Sequence, residues 1–312
     1  MARLALLFPG QASQAVGMGT DLRQRSAQAR RLFELADQIT ALPITQLCAD
    51  GPLERLTDTD VAQPAVVTTS LAALAVLREE CGVVDIAAVA GHSVGEFAAY
   101  VAAGVLDAEA ALRLVQVRAQ AMAAACASVD GSMAAVLGLD EPALREACML
   151  ASQNGSSVEV ANLNAPGQLV VSGARDALER VAESARASGA RRVLPLKVGG
   201  PFHSVYMRPA ADAVRQALIE TPLRRAEVPV VVNASAEATC EPDELRHELA
   251  VQVYSAVRWT ATLERLAALG CDRFLEVGPG TVLAGLVRRT LPDARVASFG
   301  AISDLRGACA LL

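Results

Sequence analysis

Apolar residues fall into two rhythms along this chain. Short unbroken runs at residues 4–8 and 86–90 lead directly into glycine or a Pro-Gly turn, as expected of strands buried on both faces of a parallel sheet. Segments 27–38 and 65–81 carry small and apolar residues at helical spacing, and two more helices are expected near 94–104 and 108–126. From Ser132 the rhythm shortens. We read strand 132–138, helix 141–152, strand 157–162, a turn at Asn164-Ala165-Pro166-Gly167, strand 168–172, helix 175–188 and strand 191–197. That β-α-β-β-α-β order is ferredoxin-like. A longer alternation then resumes, with helix 206–219, strand 228–232, helices 243–253 and 260–269, strand 273–277, helix 281–290 and an apolar run near 295–299. The expected architecture is α/β. A mostly parallel, doubly wound sheet is built from 1–127 and 197–312, and a small ferredoxin-like domain at 128–196 is inserted into it.

Composition narrows the function classes. The 312 residues are 53% hydrophobic, ample for a core, and the formal charge of −6 gives no electrostatic case for nucleic acid. The seven cysteines are scattered, without C-x-x-C or a histidine spacing suited to zinc, so they are expected to be small buried hydrophobes in a reducing compartment. Residues 1–8 are too short an apolar stretch for a secretory leader or a membrane span, and a cytoplasmic protein with no membrane role is expected.

The chemistry centres on Gly91-His92-Ser93-Val94-Gly95, between the apolar run at 86–90 and a small-residue helix. A serine framed by glycines at a strand-to-helix junction is the nucleophile-elbow pattern of α/β-hydrolase-like folds; a plain glycine-rich helix cap is the simpler alternative. The glycines are expected because the turn is too tight for a Cβ. Oγ would then stand clear of the sheet, and the Val94 amide would face a developing oxyanion. A serine needs a base, and the chain offers only three histidines. His92 should point away from Oγ, and His247 sits in a charged helical surface, which leaves His203 in the loop Gly199-Gly200-Pro201-Phe202-His203. No acidic residue after His203 stands out as its partner, so a backbone carbonyl or an amide is expected to orient the ring. Arg118 is the lone charge between Leu114 and Ser128; an arginine so placed needs a partner, either an acidic side chain elsewhere or a substrate carboxylate.

Taken together, these segments resemble the malonyl-CoA:acyl carrier protein transacylases of fatty acid synthesis and the related polyketide acyltransferase domains, over essentially the whole chain. The resemblance rests on Phe8-Pro9-Gly10-Gln11-Ala12-Ser13-Gln14, the elbow through Glu96, Arg118 with Met122, and Pro201-Phe202-His203 with Met207. It is carried further by Gln252 with Val257 and Trp259, by Glu276-Val277-Gly278-Pro279-Gly280, and by Asn162 to Gln168 with Val171-Ser172-Gly173. It implies an acyltransferase with ping-pong malonyl transfer through Ser93 and His203, and an oxyanion hole from the amides of Gln11 and Val94. It also implies that the Gln252 carbonyl orients His203, and that Arg118, Gln63, Asn162 and Phe202 contact substrate. Ala12 and Ala119 stand where the family usually has glycine. Phe202, where free-standing fatty acid enzymes often have serine, should crowd a 2-methyl group and favour malonyl over methylmalonyl.

Malonyl-CoA enters as substrate, the phosphopantetheine arrives on the acyl carrier protein, and no metal or bound cofactor is implied. Arg191-Arg192 and Arg288-Arg289 are candidate basic docking points for an acidic carrier, or simply solvated charge. A monomer is expected. The competing classes are a serine hydrolase on the same scaffold, an acyltransferase of polyketide or malonate-decarboxylase type, and a non-catalytic carrier-binding module.

Overall fold

The computed structural model describes residues 3–82, 85–153 and 155–312. Met1 and Ala2, the start of the first apolar run, lie outside the described residues. Among the described residues, ten strands form two sheets: β1 Arg3–Phe8, β2 Ile86–Gly91, β3 Gly131–Leu137, β4 Val158–Ala165, β5 Gln168–Ala174, β6 Arg192–Pro195, β7 Val230–Val231, β8 Ala238–Thr239, β9 Cys271–Val277 and β10 Arg295–Phe299.

The larger sheet has the order β10-β9-β1-β2-β7-β8, parallel throughout except for β8, which pairs antiparallel with β7 at the edge. Strand β1 explains why this sheet is covered on both faces. Its alternate side chains enter two separate cores, Leu4, Leu6 and Phe8 into one and Ala5 and Leu7 into the other. The first core is dominated by the helix Thr59–Cys81, which is long and apolar enough to cross a membrane, yet 94% of its most apolar stretch is buried inside the protein. That helix starts earlier than its sequence suggests and runs through Pro64, because the N-terminal turns from Thr59 onward are packed against the core.

The smaller sheet is antiparallel, in the order β4-β5-β3-β6, with the helices Glu141–Ala151 and Arg175–Ala187 on one face and a core of its own that includes Val136, Leu144, Val171 and Val181. In order of appearance its strands lie 2-3-1-4, the ferredoxin-like arrangement expected from the element order. At β4 it is tied to the segment leading into the helix Trp259–Ala268: the Leu163 amide donates to the Val257 carbonyl at 2.9 Å, and the Val257 amide returns to Ala161 at 2.8 Å.

Three expectations need correcting. The strand read at 228–232 shrinks to two residues, because the chain turns back after Asn233 to form the edge strand β8, which the apolar pattern does not show. Strand β4 runs on through Asn164, so the turn of the small sheet is confined to Pro166-Gly167. Not all cysteines are isolated thiols: Cys81, at the end of its helix, and Cys309, on the helix Leu305–Leu311, form a disulfide, a pairing across 228 positions that no local spacing signals. The remaining cysteines are free, and burial pushes the thiols of Cys48 and Cys148 up to about 12.

Candidate active site

The site lies at the carboxyl ends of β1 and β2, where open α/β sheets bind ligands. Strand β2 ends in the elbow. A Cβ at Gly91 would collide with the Gly95 backbone, and one at Gly95 with the Phe8 carbonyl, so both positions demand glycine. Between them Ser93 is held at φ 53°. Ala12, in the loop after β1, and His203 share this left-handed conformation at φ 79° and φ 57°. Each such non-glycine residue costs on the order of 1–3 kcal/mol, so three around one cavity mark a place where folding energy is given up for geometry.

Ser93 Oγ lies 2.7 Å from Nε2 of His203. The other ring nitrogen of His203, Nδ1, faces two main-chain carbonyls, Gln252 at 2.9 Å and Ser255 at 3.1 Å. Carbonyls only accept, so Nδ1 carries the proton and Nε2 presents its lone pair to the serine. Burial, reinforced by the nearby Arg118 charge, drives the His203 pKa down to about 3, which keeps the ring neutral. The resemblance assigns the orienting carbonyl to Gln252; the second, from Ser255, has no signal in the sequence.

Arg118 is 1% exposed and, among the described residues, faces no carboxylate at bonding distance. Nη1 donates to Gln63 Oε1 at 2.5 Å, and Nη2 donates to Ser93 Oγ and to Gln252 Oε1, each at 3.1 Å, while Nε finds no partner among the described residues. Burial pulls its pKa down to about 10, still leaving a cation at neutral pH. The structural salt bridge that could have explained this residue is therefore not made among these residues. What the site holds is a guanidinium surrounded by neutral acceptors, one of them Ser93 Oγ.

A cavity of about 320 Å³ opens above these groups, with Gln11, Ser93, Arg118, Asn162, Phe202 and His203 in its walls. The parallel sheet supplies the floor. The small sheet supplies a largely apolar roof from Met133, Ala135 and Val170, continued by Leu196 and Val198. Gln63 does not line it: it is fully buried behind the wall and touches two side chains that do, accepting from Arg118 Nη1 and donating to Met122 Sδ at 3.5 Å. Among the described residues, no hydrogen bond uses the backbone amides of Gln11 or Val94.

His92 turns away from Oγ, as expected, and bonds Asn164 Oδ1 of β4 at 2.9 Å, linking elbow and small sheet. His247 is exposed. Glu276, at the end of β9, accepts the amides of Leu283 and Ala284 at 3.1 and 2.8 Å and so caps the helix Val282–Thr290, which forms another wall of the cavity. Its carboxyl is pushed up to about 7 by burial. Of the two arginine pairs, Arg289 bonds Gln168 Oε1 at 3.0 Å, and Arg191-Arg192 lie exposed at the start of β6.

The chain resembles known proteins along nearly its whole length. The acyl transferase domain family matches residues 5–306. A malonyl CoA-acyl carrier protein transacylase of Bacillus subtilis is 42% identical over 289 residues, covering 93% of this chain and 90% of that protein. The crystal structure of an acyl carrier protein S-malonyltransferase from Vibrio cholerae superposes with a TM-score of 0.93 at 37% identity, covering 98% of this chain and 100% of that one. A malonyl-transacylase in complex with its type II PKS acyl-carrier protein superposes with a TM-score of 0.94 at 36% identity, covering 99% of each chain. With an acyl transferase domain along nearly its whole length and relatives of one kind on every side, this chain belongs to the malonyl CoA-acyl carrier protein transacylase family of acyltransferases.

Proposed function

We propose that the protein moves a malonyl group from malonyl-CoA to the phosphopantetheine thiol of an acyl carrier protein through an acyl-serine intermediate. The observation that carries this reading is a buried guanidinium 3.1 Å from a serine that is itself 2.7 Å from a neutral histidine. Arg118 would hold the malonyl carboxylate with two parallel charge-assisted bonds and so place the thioester carbonyl over Ser93. Ser93 Oγ attacks that carbon as His203 Nε2 takes its proton, and the unused amides of Gln11 and Val94 receive the oxyanion. The C–S bond then breaks, and the departing thiolate takes the proton back from His203. In the second half-reaction the carrier thiol gives its proton to His203 and attacks the ester carbon, and Ser93 leaves reprotonated.

In this reading Gln252 and Ser255 fix the imidazole, Gln63 braces Arg118, Asn162 and Phe202 shape the acyl pocket, and no metal or bound cofactor takes part. Residues 1–127 and 197–312 act as the catalytic body and 128–196 as the small domain that roofs it. We place the enzyme in the cytoplasm as a monomer, supplying fatty acid or polyketide synthesis. Intact-protein mass after brief mixing with malonyl-CoA tests the route. A malonyl adduct that holo carrier protein discharges is expected. Malonate release with no adduct and no transfer would mean that water is the acceptor and would replace transfer by hydrolysis.

A further inference from the structure

Beneath the elbow lies a pair of fully buried polar residues that the transfer route does not use, Asn233 and Glu96. The Ser93 amide donates to Asn233 Oδ1 at 2.7 Å, and Asn233 Nδ2 donates to the Gly91 carbonyl at 2.6 Å. One carboxamide thus grips the backbone on both sides of His92 and anchors the amide of the strained Ser93. The Asn233 amide in turn donates to Glu96 Oε1 at 2.7 Å, and Glu96 stands three positions after Ser93 in the first turn of the helix Gly95–Ala102. The loop is closed: elbow to Asn233, Asn233 to Glu96, Glu96 back to the elbow through its own helix.

We propose that Asn233, seated by Glu96, is a positioning residue that holds Ser93 in its left-handed conformation and thereby sets both the line of Oγ to His203 and the outward aim of the Val94 amide. The chemistry of the side chain fits the task. Only a carboxamide offers an acceptor and a donor in one rigid plane; a carboxylate lacks the donor, and a hydroxyl is too short to reach both groups. Because Asn233 consumes the Ser93 amide, that amide cannot serve the oxyanion, which leaves the Gln11 and Val94 amides as the donors. Glu96 acts as a neutral acceptor. Its second oxygen has no partner among the described residues, and burial raises its pKa well above the ordinary carboxyl value. The charged or titratable groups that act on it are Glu248 of the helix Pro242–Val251, Arg118 of the helix Ala108–Ala127 and Tyr100 of its own helix.

This inference rests on the acyl-serine reading, and the experiment separates the two. Ser93 acylation by malonyl-CoA is followed by rapid-mixing mass measurement for wild type, Asn233→Asp, Glu96→Gln and Glu96→Leu, together with thermal melts. No adduct on wild type sinks the acyl-serine reading itself. If wild type acylates, Asn233→Asp should be slower by about 100-fold near pH 8, with the malonyl-CoA concentration dependence little changed. It should recover toward about pH 5.5, where protonation of the introduced carboxylate restores a donor to the Gly91 carbonyl. A merely structural asparagine would not produce that rise. Glu96→Gln should stay within about threefold of wild type, and Glu96→Leu, which removes the acceptor, should lose about tenfold. Should Asn233→Asp not fold, Asn233→Ser carries the test, with a loss of similar size expected and no recovery at low pH. Wild-type acylation rates in a folded Asn233→Asp or Asn233→Ser protein overturn the proposal, as does an Asn233→Asp defect that is independent of pH.

Discussion

The floor and the roof of the cavity are built on different physical terms. The floor presents Ser93 from the end of β2, Arg118 from the helix Ala108–Ala127 and His203 from the loop after β6, each fixed by polar contacts to side chains or carbonyls from distant parts of the chain. The roof, from the antiparallel sheet and the loop that returns from it, presents Met133, Ala135, Val170, Leu196, Val198 and Phe202 together with the amides Asn162, Asn164 and Gln168, none of them ionisable. A parallel sheet ends its strands side by side, with the N-termini of the following helices beside them, so charges and backbone amides converge there. An antiparallel sheet offers a broad face of alternate side chains, which shapes a space and adds only side-chain polar groups, not converging strand ends and helix N-termini. Under the proposed function, reaction and charge recognition would belong to the floor, and discrimination of acyl bulk to the roof.

Changes to the floor should be the most damaging. Ser93→Ala should abolish the covalent malonyl adduct altogether, as read by intact mass. Arg118→Ala should lower malonyl transfer by about 100-fold or more while leaving acetyl transfer nearly unchanged, since acetyl lacks the carboxylate that the guanidinium would bind. A parallel fall for both acyl groups in a competition assay would make Arg118 a scaffold residue. The roof should respond more gently. Phe202→Ala should narrow the preference for malonyl over methylmalonyl by about tenfold, the usual worth of one methyl-sized clash, with kcat for malonyl little altered.

Two smaller effects probe the floor's strain and charge. With His203 held down at about pKa 3, kcat/KM should show no loss from histidine protonation between about pH 5 and pH 8. The same shift has a stability consequence. The ring binds its proton near 6.5 when unfolded but only near 3 when folded, so the unfolded state takes up more protons on acidification. Stability should then fall as pH drops below about 6.5, and His203→Gln should flatten that slope in denaturant titrations. The smallest change expected is a gain: Ala12→Gly, relieving φ 79°, should raise stability by about 0.5–1 kcal/mol in the same titrations.

Several parts of this arrangement are legible in the chain alone. The apolar runs at β1 and β2 identify strands buried on both faces, and Gly91 and Gly95 mark a turn that admits no Cβ. Arg118, isolated among alanines and valines, announces a buried charge. Other parts carry no local signal. Asn233 follows three valines and resembles any loop asparagine, Ser255 contributes only its carbonyl, and Cys81 finds Cys309 at the far end of the chain. Strands β7 and β8, two residues each, are too short for a period to show.

Periodicity, glycine sterics and a shortage of histidines are local or compositional facts. They suffice for the alternation of strands and helices, the insertion of a β-α-β-β-α-β unit, the elbow and the choice of His203 as candidate base. Which groups meet is a matter of the folded chain: Ser93 with His203 across 110 positions, Arg118 with Gln63 and Gln252, and Asn233 beneath the elbow. Folding also leaves Arg118 facing neutral acceptors and His203 uncharged, because charge balance and desolvation depend on every element packed around a group, and no single stretch of chain contains them all.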